Sequence, residues 1–215
     1  MRVVRRIGWW VAIAVGLSWF GPVAADVQPP DFDGAALIVI DIQEFYFPGG
    51  KAPLVGPEAA AAEAARVIAA FRAAGRPVIH VQHLPKDVDT PDPTGLAEPY
   101  RIRPEVLPKP GEVVIGKHFA NSFRGTDLLG VLHKLGVTEL VIVGMQTHMC
   151  VEAAVRAAAD LGFGVTVVQD ACATRDLTFD GTTVPAAQVH AAALAAMQGT
   201  YATVVSADDL CGARQ

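Results

Sequence analysis

Hydrophobic residues recur along this chain with two different spacings, and the alternation between them predicts its elements. Short, almost continuous apolar runs occupy residues 35–40, 77–81, 112–117, 140–145, 165–169 and 202–205. Runs apolar on both faces read as strands of a parallel sheet covered on both sides. Between them lie segments with apolar residues three and four apart. These are residues 58–74, opened by Pro57 and closed by Gly75; 126–136, with Thr126 as N-cap; 148–162; and 186–198, closed by Gly199. Strands alternating with helices of this length predict an α/β domain of three α/β/α layers. Its sheet is expected to be mainly parallel and six-stranded. A short acidic tail follows the last strand.

Two segments fall outside the pattern. Residues 84–111 are rich in prolines and acids and have no period. A stretch of that length inside a compact domain is a lid, a binding loop or a mobile segment. At the N terminus, Arg2, Arg5 and Arg6 precede an apolar stretch, residues 7–20, and the small residues Val23-Ala24-Ala25. That order predicts a signal peptide, residues 1–25, cleaved after Ala25, with an uncleaved anchor as the alternative. The apolar stretch is short beside the roughly 20 residues a membrane span needs. The expectation is an exported protein, periplasmic or secreted, whose domain occupies residues 26–215.

Cleavage removes three arginines and no acids, which takes the formal charge from −5 to −8. So acidic a domain has no basic stripe for nucleic acid and none for an anionic membrane surface once the leader is gone. Neither is expected as a partner. The cysteines are Cys150, Cys172 and Cys211. Their odd number leaves at least one thiol free, and whether Cys172 pairs with Cys211 stays open.

Ligands of open parallel sheets bind beyond the carboxyl ends of the strands. Asp41 follows the first run, Lys117 ends the third, and Cys150 stands just after the fourth. A carboxylate, an ammonium and a thiol at one rim are a base, an electrostatic support and a nucleophile for acyl transfer. Each also has a plainer reading: Asp41 as a cap, Lys117 as a solvated strand end, Cys150 as a small packed hydrophobe. Unpaired N–H groups and the dipole at a helix start predict a Cys150 pKa below the free value of about 8.5. Asp170, at the end of the fifth run, reads as a turn-stabilising residue. Residues 111–117 match the first part of a phosphate-binding loop, but Glu-Val-Val-Ile reads as strand and His118 replaces the magnesium-binding hydroxyl. His80 and His83, three apart on a strand, point to opposite faces and do not make a metal pair. His83 can still face a cavity as it leaves the strand.

Three ordered blocks resemble the isochorismatase-like cysteine hydrolases: LIVIDIQEFYF at 37–47, GEVVIGKHFANSFRGTDL at 111–128, and LVIVGMQTHMCVEAAVRAAADLGFGVTVVQDACAT at 140–174. The resemblance runs from about Ala35 to Leu210. It implies a Rossmann-like sheet, a catalytic set of Asp41, Lys117 and Cys150, a thioester intermediate and cleavage of an amide-like C–N bond of a small molecule. It also implies an oxyanion hole made by the backbone N–H groups of Gln146 and Cys150, a cis peptide at Met145–Gln146, and a homo-oligomer. No cofactor is implied. The nicotinamidase branch binds metal through an Asp-x-His cluster after its second strand, and residues 84–93, LPKDVDTPDP, lack it. The isochorismatase branch acts on a vinyl ether without needing the cysteine, so the presence of Cys150 favours amide hydrolysis. A non-catalytic binding protein of the same fold and a vinyl-ether hydrolase are the alternatives; a redox role finds no Cys-x-x-Cys. Phe45, Phe47 and Phe123 are expected as apolar walls of the pocket or as core. Gln43, His83 and His148 are further candidates for contact with substrate.

Overall fold

The computed structural model describes residues 32–212; the expected signal peptide lies outside them. In chain order the elements are β1 (Ala35–Ile40), α1 (Pro57–Ala73), β2 (Val78–His83), β3 (Val113–Lys117), α2 (Leu128–Leu135), β4 (Glu139–Met145), α3 (Glu152–Asp160), β5 (Gly164–Ala173), β6 (Leu177–Phe179), β7 (Thr182–Val184), α4 (Ala186–Met197), β8 (Thr203–Val205) and α5 (Ala207–Cys211). Six strands form one sheet in the order β3-β2-β1-β4-β5-β8, and every pairing in it is parallel. β6 and β7 form a separate antiparallel hairpin.

The period of two along each strand sets the layers. Leu37 and Val39 of β1 share a core with Val67, Ile68 and Phe71 of α1 and with Ala207 of α5. Ala36, Ile38 and Ile40 point the other way, into a core with Leu128 and Leu132 of α2, Val155 of α3 and Leu194 of α4. In α1 the buried positions Ala60, Ala64, Val67, Ile68 and Phe71 recur at helical spacing. That apolar stripe, rather than helix propensity, fixes the helix on the sheet.

The chain runs outward from β1 through β2 to β3, then returns to place β4 on the other side of β1. The order therefore reverses between β1 and β4, which is where a crevice opens at the carboxyl ends of the strands. Gly144 lets the two strands meet there. It has φ +133°, and a Cβ on it would stand 2.1 Å from the Ile40 carbonyl oxygen.

Several boundaries differ from expectation. Thr126 is not the N-cap: α2 starts at Leu128 with Asp127 at the cap position, and the Thr126 hydroxyl instead donates to Ser122 O and accepts from Leu128 N. The helix expected from residue 148 opens with a π-helical turn, Thr147–Val151, before α3 begins. β5 runs on to Ala173, so Asp170 lies within a strand, and its Oδ1 accepts from Ala207 N at 2.8 Å. It thus supports the first turn of α5, the segment expected as an acidic tail, where Ser206 and Asp209 form a capping box. The three cysteines are all free.

Residues 84–111 are held down rather than loose. Gln82 Nε2 donates to Asp92 O and Tyr100 O. Farther along, Glu112 is gripped by two nitrogens of Arg72, by Lys109 N and by His80 Nε2. Apolar periodicity cannot register such clips, because they run from buried polar side chains to loop backbone.

Candidate active site

Asp41 leaves β1 with φ +50°, a left-handed conformation that costs most L-residues about 1–2 kcal/mol and that aspartate tolerates better than most. Its N–H donates to Val81 O and its carbonyl accepts from Gln43 N, so both neighbouring segments hold the turn. Lys117, the last residue of β3, reaches over from two strands away and brings Nζ to 2.6 Å from Asp41 Oδ2. The approach is off the angle of a regular hydrogen bond, but at that distance it is an ion pair. Both side chains are fully shut off from solvent. A second bond from Nζ, to Phe119 O at 3.1 Å, fixes the ammonium.

Cys150 stands in the π-helical turn and is 4% exposed. Its thiol lies within hydrogen-bonding reach of both Asp41 and Lys117. Single π turns of this kind gather at functional sites. Around it, Thr147 Oγ1 pairs with His190 Nδ1 at 2.9 Å and His148 Nδ1 with Thr174 Oγ1 at 2.5 Å. The peptide Met145–Gln146 is cis.

The electrostatics overturn one expectation. Burial pushes the Cys150 thiol up to about 12; the Asp41 charge adds to this and Lys117 opposes it. The helix start does not make a resting thiolate, because the thiol is buried against a carboxylate. Burial also works against the charge on Lys117, yet Asp41 and Cys150 outweigh it and hold the ammonium above its ordinary range. At neutral pH the resting thiol is thus neutral and the Lys117 beside it charged.

A cavity of about 260 Å³ opens onto Cys150, with Gln146, Tyr46, Phe45, His83 and Arg175 among its walls. A second hollow of about 180 Å³ shares Phe45 and His83 and extends to Tyr100 and Lys51. His83, among the residues expected near substrate, therefore lines the cavity; burial holds its pKa below the ordinary value. Gln43 is buried, but its amide is spent on backbone: it donates to His83 O and Tyr100 O and accepts from His83 N. Phe47 lies in the α1 core under the Arg103 guanidinium, and Phe123 packs against the opposite core. Neither is a wall of this cavity. His148 faces Thr174 and a groove bordered by Leu177 and Val189.

The cavity also holds residues that pattern reading passed over. Arg66, Arg72, Arg76, Arg101, Arg103 and Arg156 each meet a carboxylate, and Arg124 lies over the Phe119 ring. Arg175 has neither kind of partner among the described residues. Its position one residue beyond the Thr174 that closes the third block was the available signal. Tyr46 was hidden in the aromatic run Phe45-Tyr46-Phe47.

Comparison with known proteins settles the family. The isochorismatase domain family model matches residues 35–209. The chain belongs to the isochorismatase family. The family protein YddQ of Bacillus subtilis is 48% identical over 79% of this chain and 94% of its own length. The maleamate amidohydrolase of Pseudomonas putida is 32% identical over 65% of this chain and 72% of its own length. Among solved structures, an isochorismatase from Pseudomonas putida superposes with a TM-score of 0.76 at 37% identity, covering 86% of this chain and 94% of the other. The protein is a hydrolase of this family, with the family's parallel α/β sheet.

Proposed function

We propose that the protein hydrolyses a C–N bond in a small amide-like substrate through a thioester on Cys150, with Asp41 as proton acceptor and donor. The observation that carries the reading is the buried convergence of Asp41 and Lys117 on Cys150, the member of the three that opens onto the cavity. A carboxylate and an ammonium sealed from water without function would cost several kcal/mol that an apolar pair of the same volume would not.

The steps follow from the resting ionisation. A substrate carbonyl enters beside Sγ. As Sγ bonds to the carbonyl carbon, the thiol proton passes to the Asp41 carboxylate, and the carbonyl electron pair moves to oxygen. The backbone N–H groups of Gln146 and Cys150 receive that oxyanion, a service worth about 3–4 kcal/mol where one donor has been removed in other enzymes. When the oxyanion collapses, the C–N bond breaks and the Asp41 proton goes to the leaving nitrogen. Water then attacks the thioester carbon, giving its proton to Asp41. The C–S bond breaks, the acid departs, and Asp41 returns the proton to sulfur. Lys117 holds Asp41 through their ion pair and lends positive potential to sulfur as it gains charge.

Arg175 at the cavity wall adds a preference for substrates that also carry a carboxylate, since its guanidinium meets no acid among the described residues. The relative named as a maleamate amidohydrolase acts, by that name, on an acid amide of this sort. Ammonia release should be assayed across a panel of neutral and acidic amides with the parent protein and with Cys150→Ala. The reading expects turnover of at least one acidic amide, lost in a variant that keeps the parent's circular dichroism. Turnover that survives the substitution would sink it.

A further inference from the structure

Beyond the backbone donor assigned to it above, Gln146 puts a side chain into the cavity beside Cys150. The residue is 4% exposed, and its Oε1 is buried with no protein partner among the described residues. Native proteins hold few such atoms, because a buried acceptor without a donor forfeits the hydrogen bond it had in water. The other end of the amide has a neighbour. Tyr46, buried and lining the same cavity, has its hydroxyl within hydrogen-bonding reach of the Gln146 side chain. Nε2 is the end that can donate to the phenol oxygen, which leaves Oε1 to whatever fills the cavity.

The chemistry of the site divides accordingly. The backbone N–H groups proposed for the oxyanion suit a carbonyl oxygen, and they would suit an ester as well as an amide. Oε1 only accepts, so it suits a hydrogen on the atom next to that carbonyl. We propose that Gln146 Oε1 accepts a hydrogen bond from the N–H of the scissile amide, and so makes the enzyme select primary and N-monosubstituted amides or ureides over esters. This rests on the thioester reading given above. An ester of the same outline presents an oxygen lone pair to Oε1 and leaves it unpaired, and buried polar groups left unpaired are a strong source of discrimination. Tyr46 is a positioning residue here: it sets which end of the Gln146 amide faces the substrate.

Matched pairs test this. N-Methylmaleamate with monomethyl maleate, and N-methylbenzamide with methyl benzoate, differ within each pair only in N–H against O. Each is assayed for kcat/KM with parent, Gln146→Met and Tyr46→Phe proteins. Gln146→Met is expected to lower the amide-to-ester ratio of kcat/KM about tenfold or more, and Tyr46→Phe to lower it in the same direction by less. A fall of equal size on both members of a pair would overturn the proposal, since it would make the side chain merely structural. If Gln146→Met does not fold, an unchanged ratio in Tyr46→Phe overturns it equally. The two readings fail separately. Turnover that survives Cys150→Ala, or no turnover of any probe by the parent, removes the thioester reading and this proposal with it; an unaltered ratio in a Cys150-dependent enzyme removes the proposal alone.

Discussion

At Cys150, acidity and catalytic competence pull in opposite directions. Asp41 raises the thiol pKa through its charge, yet the proposed mechanism needs that same carboxylate to take the proton. Asp41→Asn should therefore separate the two. With the carboxylate gone, the thiolate becomes the natural partner of Lys117, and iodoacetamide labelling of Cys150 at pH 8 should speed up. Amide turnover should fall about 100-fold or more, the scale of a lost general base. Slower labelling together with lost turnover would mean that Asp41 activates the thiol at rest, contrary to the geometry. The identities of Asp41, Lys117 and Cys150 were legible because strand-end position and residue type both survive in one dimension. The thiol's raised pKa was not, because it depends on how deeply the turn is buried and on a carboxylate brought in from β1.

Elements show the same division. All six sheet strands and four of the five helices could be read from apolar spacing, because burial dictates that spacing directly. The hairpin β6–β7, the π-helical turn and α5 could not. The first packs little apolar surface, the second is a local change of hydrogen bonding inside a helical pattern, and the third looks like a polar tail until Asp170 and a capping box support it. One cross-element contact has a measurable signature. Burial lowers the pKa of His80, on β2, to about 4 from 6.5, so the fold keeps this imidazole neutral. Below pH 6.5 the unfolded chain takes up a proton that the folded chain resists until about pH 4. Stability should consequently drop as pH falls through that window, by about 3 kcal/mol from this residue alone. Glu112, held well below the carboxylate range by Arg72, Lys109 N and His80 against the opposing effect of burial, extends the loss to lower pH. Urea melts of parent and His80→Gln at pH 7, 5.5 and 4.5 would check the sign. The variant should show the shallower decline, and parallel curves would count against a neutral buried His80.

On the scale of the whole chain, the leader and the domain make separate claims. The family match begins at residue 35, downstream of the expected cleavage after Ala25. Protein recovered from an exporting host is expected to have the mass of residues 26–215. A protein that keeps residues 1–25 and stays with the membrane fraction would instead support the anchor.

The sealed, neutral state of Cys150 bears on how long such an enzyme would last. Peroxide and adventitious electrophiles react with thiolate far more readily than with thiol, and in the proposed mechanism only what enters the cavity and draws the proton onto Asp41 turns one into the other. Between turnovers the proposed nucleophile is disarmed. An enzyme working where oxidants are plentiful and no reductant repairs sulfur would accumulate little damage while idle, and its wear would scale with the substrate it had processed rather than with its age.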